Sequence, residues 1–268
     1  RAGYARVTAA RRVVPVVLQL LLLMAGAGAQ TGKSAPRALV ADAFCSVSDP
    51  HGVVARAATD ALASALNRQG VYSVIAASAL ERAARARRME PPYEPSELRA
   101  LAGELKADYV LTSDVQRITR RTRDGRAWIE VGIVVHVREA ETWELANGAA
   151  ELAAVHDAAE AGSAPSLAYM EAAAAAAERC AARIAAYKPI VGTVLNSSGS
   201  DILVINRGAE HGVRPRMEFR VFRRGQPVGR VRVFKVMGGY TQVKVMEGAG
   251  GIGPEDRAVA VFPEPRLK

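Results

Sequence analysis

The chain has 268 residues, half of them hydrophobic and 24% charged, so it folds, and wholesale disorder is excluded. Two cysteines and four histidines exclude a disulfide-rich scaffold, a four-cysteine zinc site and a histidine-rich metal centre. The net charge of +9 sits at the two ends: residues 1–30 carry four Arg and no acid, 31–188 carry 19 basic and 20 acidic residues, and 189–268 carry 13 basic and 7 acidic.

Residues 1–29 read as a secretory signal peptide. Arg1, Arg6, Arg11 and Arg12 precede an apolar run from Val13 to Met24, and the small residues Ala25 to Ala29 follow. The run is shorter than the ~20 residues that span a bilayer. No Cys follows it, so a lipoprotein anchor is not expected; a periplasmic or outer-membrane-associated protein is. Ala27, Gly32, Lys33 and Ser34 fit a loose phosphate-loop spacing. Pro36 and a strand follow where a phosphate loop needs a helix, so nucleotide binding is not expected.

A mixed-sheet α/β domain is expected over residues 37–187, in the order β-α-β-α-β-β-β-α, with helices over one face. Arg37 to Val47 has strand composition, and Asp49 to Gly52 is a turn cluster. Val54, Ala58, Leu62 and Leu66 then form a helical stripe, which Gly70 stops. Tyr72 to Ala76 is a short strand. Ser78 with Glu81 reads as a capping box, and Ser96 as the cap of the next helix. Ala107–Thr119 and Trp128–Val137 form a hairpin around Asp124-Gly125. Glu144–His156 adds a third antiparallel strand, and an alanine-rich helix spans Ser166–Tyr187.

After Pro189, Val, Gly and Arg replace Ala. Six strands are expected at Ile190–Asn196, Asp201–Asn206, Met217–Arg223, Val228–Val236, Thr241–Met246 and Arg257–Phe262. Short strands at even spacing predict a small all-β barrel over residues 190–262. The overall class is α+β. Gly248, Gly250 and Gly253 fit a dinucleotide fingerprint, but a strand follows instead of a helix, so they read as a turn.

The segments Ala38–Phe44, Tyr72–Ile75 with Leu80–Arg82, and Leu101–Ser113 resemble the first three strand regions of a known group. That group contains the amino-terminal domain of TolB, the CsgG-like curli-secretion lipoprotein, the middle domain of flagellar assembly protein T and the lipoprotein activators of penicillin-binding proteins. Residues 190–262 resemble the carboxy-terminal domain of flagellar assembly protein T through Gly192–Val194, Ile205–Gly208, Phe219–Val221 and Val228–Val231. Lys106, Ser113, Trp143, Arg216 and Glu255 stand where these relatives usually carry Gly. The resemblance implies a non-catalytic envelope module for flagellar or secretion assembly. Its alternative is an activator of cell-wall synthesis enzymes, and a different class is a cell-wall hydrolase with an unrecognised site.

The candidate partner-binding residues are Arg220, Phe222, Arg230 and Arg232. Placing Phe219 opposite Val233 and Val221 opposite Val231 sets Arg220 against Arg232 and Phe222 against Arg230 on the outer face. Like charges so placed repel by up to ~1 kcal/mol, which an anionic partner would offset. A solvated face, or pairing with Glu218, would offset it equally. The partners expected are envelope proteins or an anionic cell-wall or lipid surface, with homo-oligomerisation open and nucleic acid disfavoured by export. Cys45 and Cys180 either bridge or stay separate thiols. His51, His136, His156 and His211 share no metal-ligand spacing. No metal, cofactor or enzymatic activity is expected.

Overall fold

The computed structural model describes residues 35–49, 52–123, 126–156, 165–196, 201–248 and 251–267. The expected signal peptide, the phosphate-loop spacing, His51, the Asp124-Gly125 turn and Gly250 lie outside them. Residues 35–268 form one compact unit.

That unit begins with β1 (Arg37–Val40) and β2 (Phe44–Cys45), two pieces of the single strand expected. Both lie parallel to β4 (Tyr109–Arg123), in register Leu39 with Val110 and Phe44 with Asp114. Helix α1 (Val54–Gln69) connects to β3 (Ser73–Val74), parallel to β1 on its other side. Its start is tied by the Asp49 carboxylate, which accepts the Val54 N–H at 2.8 Å. Gly70 ends it in the left-handed region, φ 66, where a residue without Cβ is unstrained.

Helices α2 (Ala77–Ala86) and α3 (Pro95–Glu104) follow. The caps differ from expectation. Ala76 precedes α2 without a side-chain cap, so Ser78 lies inside the first turn. Glu94 precedes α3, Pro95 takes the first helical position, and the Glu97 carboxylate accepts the Glu94 N–H at 2.8 Å. Ser96 is therefore already helical. Pro95 wins because its fixed φ suits the first helical position and its missing N–H needs no partner there.

Strand β4 then pairs antiparallel with β5 (Arg126–Glu139), and β5 with β6 (Leu145–His156). Helix α4 (Pro165–Ala186) closes this domain. The strand order is β3-β1-β4-β5-β6. Helices cover the two faces of this sheet rather than one. Ala38 and Val40 join the core under α1 and α4, whereas Leu39 and Ala41 join the core under α2 and α3. A continuous apolar strand is what two covered faces require.

The chain then forms β7 (Val191–Asn196), β8 (Ile202–Ile205), a 3₁₀ turn (Ala209–His211), β9 (Glu218–Arg223), β10 (Gln226–Val236), β11 (Thr241–Glu247) and β12 (Arg257–Ala260). These six strands close in the order β10-β11-β8-β7-β12-β9. Phe219, Val221, Val231, Val233, Val243, Leu203 and Ile205 fill the interior. The mixed sheet followed by a separate closed barrel is the architecture the sequence predicts.

Four of the five positions singled out in the sequence have left-handed backbone: Lys106 at φ 52, Trp143 at 62, Arg216 at 67 and Glu255 at 67. The fifth, Ser113, is buried, with a hydroxyl that finds no partner among the described residues.

Candidate functional site

The β9–β10 hairpin carries the candidate residues. Its turn is Arg224-Gly225, with φ of 51 and 84, and Arg223 faces Gln226. Two left-handed residues make the tight turn that matches strand twist, and such a turn dictates the register. A bulge between Pro227 and Gly229 adds one further shift. The expected register is therefore corrected. Phe219 faces Val231, Val221 faces Gly229, Phe222 faces Pro227, Arg220 faces Arg230, and Arg232 faces Glu218.

Carboxylates of the same chain meet these arginines. Arg220 is largely buried, its side chain 17% exposed, and contacts Glu144 closely, with Glu139 at 3.9 Å. Arg230 lies 3.8 Å from Glu144 and 4.0 Å from Glu218. Arg232 donates to the Glu218 carboxylate through Nε at 3.0 Å and a terminal nitrogen at 2.6 Å. The Arg220 guanidinium also stands 5.1 Å over the Phe222 ring. Glu139 ends β5 and Glu144 closes the turn before β6, so the sheet domain supplies the negative charge that the Arg220–Arg230 pairing needs. Three of the four candidates thus form ion pairs within the molecule, and Arg220 and Arg230 join sheet to barrel.

Beside this junction opens a cleft of about 860 Å³. Tyr109, Glu139 and Glu144 line its sheet side, and Phe222, Arg224 and Arg257 its barrel side. Burial, then the charges of Glu139 and Asp108, push the Tyr109 hydroxyl pKa up. At the barrel rim Arg223 grips Asp256 with two bonds of 2.8 Å, and Asp256 also accepts the Gly253 N–H at 2.7 Å. Asp256 is buried, and the Arg223 hydrogen bonds hold its pKa below the ordinary carboxylate range. Gly248, at φ 78, and Gly253 belong to this turn, which leads into β12.

Cys45 and Cys180 are separate thiols. The fully buried Cys180 donates to the Ile133 carbonyl, and burial pushes its pKa up to about 12. His211 accepts the Gly208 N–H at 3.3 Å, and His156 meets Trp128 edge to face at 5.6 Å. His136 lies 2.8 Å from Glu264 through Nε2. No group of three or more His, Cys, Asp or Glu among the described residues could hold a metal ion.

Glu264 belongs to a tail that leaves the barrel and returns across the sheet. Phe262 meets Tyr187 edge to face at 4.8 Å. A Cβ at Gly148 would meet the Val135 carbonyl at 2.6 Å and Pro265 at 3.0 Å, and one at Gly132 would meet Leu267 at 2.7 Å. These two glycines make the groove the tail fills. Sequence reading missed Glu139, Glu144, Asp256 and the tail. Of these, Asp256 three residues after Gly253 was the readable signal, because carboxylates commonly bind turn N–H groups.

No family model matches the chain, and no curated protein matches it. Several solved structures are similar. Lipoprotein GNA1162 from Neisseria meningitidis is 15% identical, over 52% of this chain and 94% of that one, with a TM-score of 0.40. The carboxy-terminal domain of LpoB from Salmonella enterica is 19% identical, over 53% and 93%, with a TM-score of 0.34. A PelC dodecamer from Paraburkholderia phytofirmans is 16% identical, over 56% and 89%, with a TM-score of 0.36. No helix among the described residues is long and apolar enough to cross a membrane.

Proposed function

We propose that this protein is an exported, non-catalytic binding module of the cell envelope that docks other envelope components. The observation that carries the reading is β6. It ends the sheet order with twelve residues, and no strand lies beyond it among the described residues. Its Leu152 carbonyl accepts from Arg179 and its Gly148 N–H donates to the Asn147 side chain; the rest of such an edge offers main-chain donors and acceptors to an extended partner segment. Within the arginine hairpin, first read as the docking surface, Arg220 and Arg230 reach Glu144 and so join the sheet to the barrel. Flagellar and secretion partners follow from the resemblance alone.

The test is a photo-crosslinker at Ala154, an exposed β6 residue, with Glu90 in the α2–α3 loop as control. Position 154 is expected to capture a discrete partner in cells and position 90 to capture none. Equal labelling from the two positions contradicts the reading, as does turnover of cell-wall fragments by the purified protein.

A second reading is activation of cell-wall synthesis enzymes, which the lipoprotein activators in the resembled group imply. A faster polymerisation rate when the protein is added to such an enzyme favours it, and binding with no rate change favours a plain assembly module.

A further inference from the structure

We propose that the outer wall of the barrel across β10, β11, β8 and β7 is a docking surface for an anionic lipid bilayer. Eight large hydrophobic side chains are exposed among the described residues, and five lie on the barrel: Leu195, Ile202, Phe234, Tyr240 and Met246. The strand register gathers most of them. Gln242 faces Lys235 on one side and Val204 on the other, and Val204 faces Asn196. Phe234 and Leu195 sit at the bulges next to Lys235 and Asn196, so they flank the two ends of this row.

The adjacent row runs Arg232, Lys244, Ile202. Met246 follows Lys244 on the same side of β11, beside Arg230 opposite Glu247. Phe234 is the most exposed of the set at 64%, and Leu195 stands at 53%.

Cations separate these apolar tips. Lys235 and Lys244 are exposed and have no ion pair among the described residues. Glu218 is engaged by Arg230 and Arg232, Glu247 faces Arg230, and Asp201 adjoins Ile202. Arg230 also reaches Glu144 at 3.8 Å, so both arginines are paired and the cations left for headgroups are Lys235 and Lys244.

Shape decides the kind of partner. A closed barrel has no free strand edge along this wall, which removes strand addition. Its wall is convex, which removes the helix-in-groove mode. Protruding apolar tips between lysines and arginines suit a plane with negative headgroups above acyl chains, because the tips enter the interface while the cations stay at headgroup level.

The experiment uses the full chain with Phe234→Trp and vesicles of phosphatidylglycerol and phosphatidylethanolamine. A blue shift of emission, and quenching by brominated lipid, are expected beyond the response of the parent, whose Trp128 and Trp143 set the background. Phosphatidylcholine vesicles should give neither. The exposed-site variant Lys235→Gln/Lys244→Gln should weaken partition about thirtyfold with an unchanged circular dichroism spectrum.

Because residues 1–34 are common to all variants, a response from that segment would appear equally in parent and Phe234→Trp. An equal response overturns the proposal. So does partition unchanged in the lysine variant. Binding of polyglutamate with the same lysine dependence, without any vesicle response, would assign the wall to an acidic protein and overturn it too.

Discussion

Asp256 shows how much one side chain can organise. It is buried, yet it accepts two bonds from Arg223 and one from the Gly253 N–H, and Arg223 also donates to the Gly251 carbonyl at 2.7 Å. One carboxylate therefore fastens the β11–β12 turn to the end of β9. Asp256→Ala should cost the protein about 1–3 kcal/mol, because it strands a buried N–H and removes charge-assisted bonds. Thermal unfolding at neutral pH checks this. Its folded pKa is depressed, so the carboxylate's contribution is present above the ordinary Asp range and is lost as pH falls through and below it. The variant should therefore lose less stability than the parent on acidification. Residue by residue, this part of the account was half legible. The Gly-rich turn was read correctly as a turn, but the charge that fastens it was not, because partners 33 residues apart leave no local pattern.

At the scale of elements, the barrel strands were legible because their inward residues alternate and Gly-rich turns bound them. The hairpin register was not. It depends on a two-residue turn at Arg224-Gly225 and on a bulge, and Arg gives no hint of a left-handed backbone. Cap positions failed for a related reason: Ser78 and Ser96 suit caps by type, but Ala76 and Pro95 decide where the helices begin. The tail had no periodicity to read.

That tail carries its own prediction. The imidazole of His136 reaches the Glu264 carboxylate at 2.8 Å, and the short contact requires the proton on Nε2. Burial is the largest influence on His136 and lowers its pKa. Glu264 acts the other way, Arg138 adds to the lowering, and the net direction is down. The folded state thus binds fewer protons than the unfolded chain near the ordinary His pKa, and stability is full above that pKa and falls as pH drops below it. The melting temperature should fall between pH 7.5 and 5.5, and His136→Gln should lessen that fall. A parent and a His136→Gln variant that lose stability equally on acidification contradict the direction.

For the whole molecule, two of the three arginines that sequence reading assigned to a partner, Arg220 and Arg230, join its two parts. Glu144 stands between Arg220 and Arg230, Glu139 lies near Arg220, and the tail returns from the barrel to the grooves at Gly132 and Gly148. Two connections of different chemistry, one ionic and one packed, make sheet and barrel a single frame. The binding reading depends on this, because a frame holds the β6 edge and the barrel wall in fixed mutual orientation. Fold class was legible from the composition change after Pro189. The joint was not, since Glu144 read only as the first residue of a strand until the register brought Arg220 and Arg230 face to face.

The frame is tested most directly by calorimetry of the parent and of Glu139→Gln/Glu144→Gln at neutral pH. One cooperative transition is expected in the parent. The variant leaves Arg220 without a carboxylate and Arg230 with Glu218 alone, at 4.0 Å, and should resolve into two transitions at lower temperature with an unchanged circular dichroism spectrum. Two transitions in the parent, or an unaltered single transition in the variant, would contradict the account.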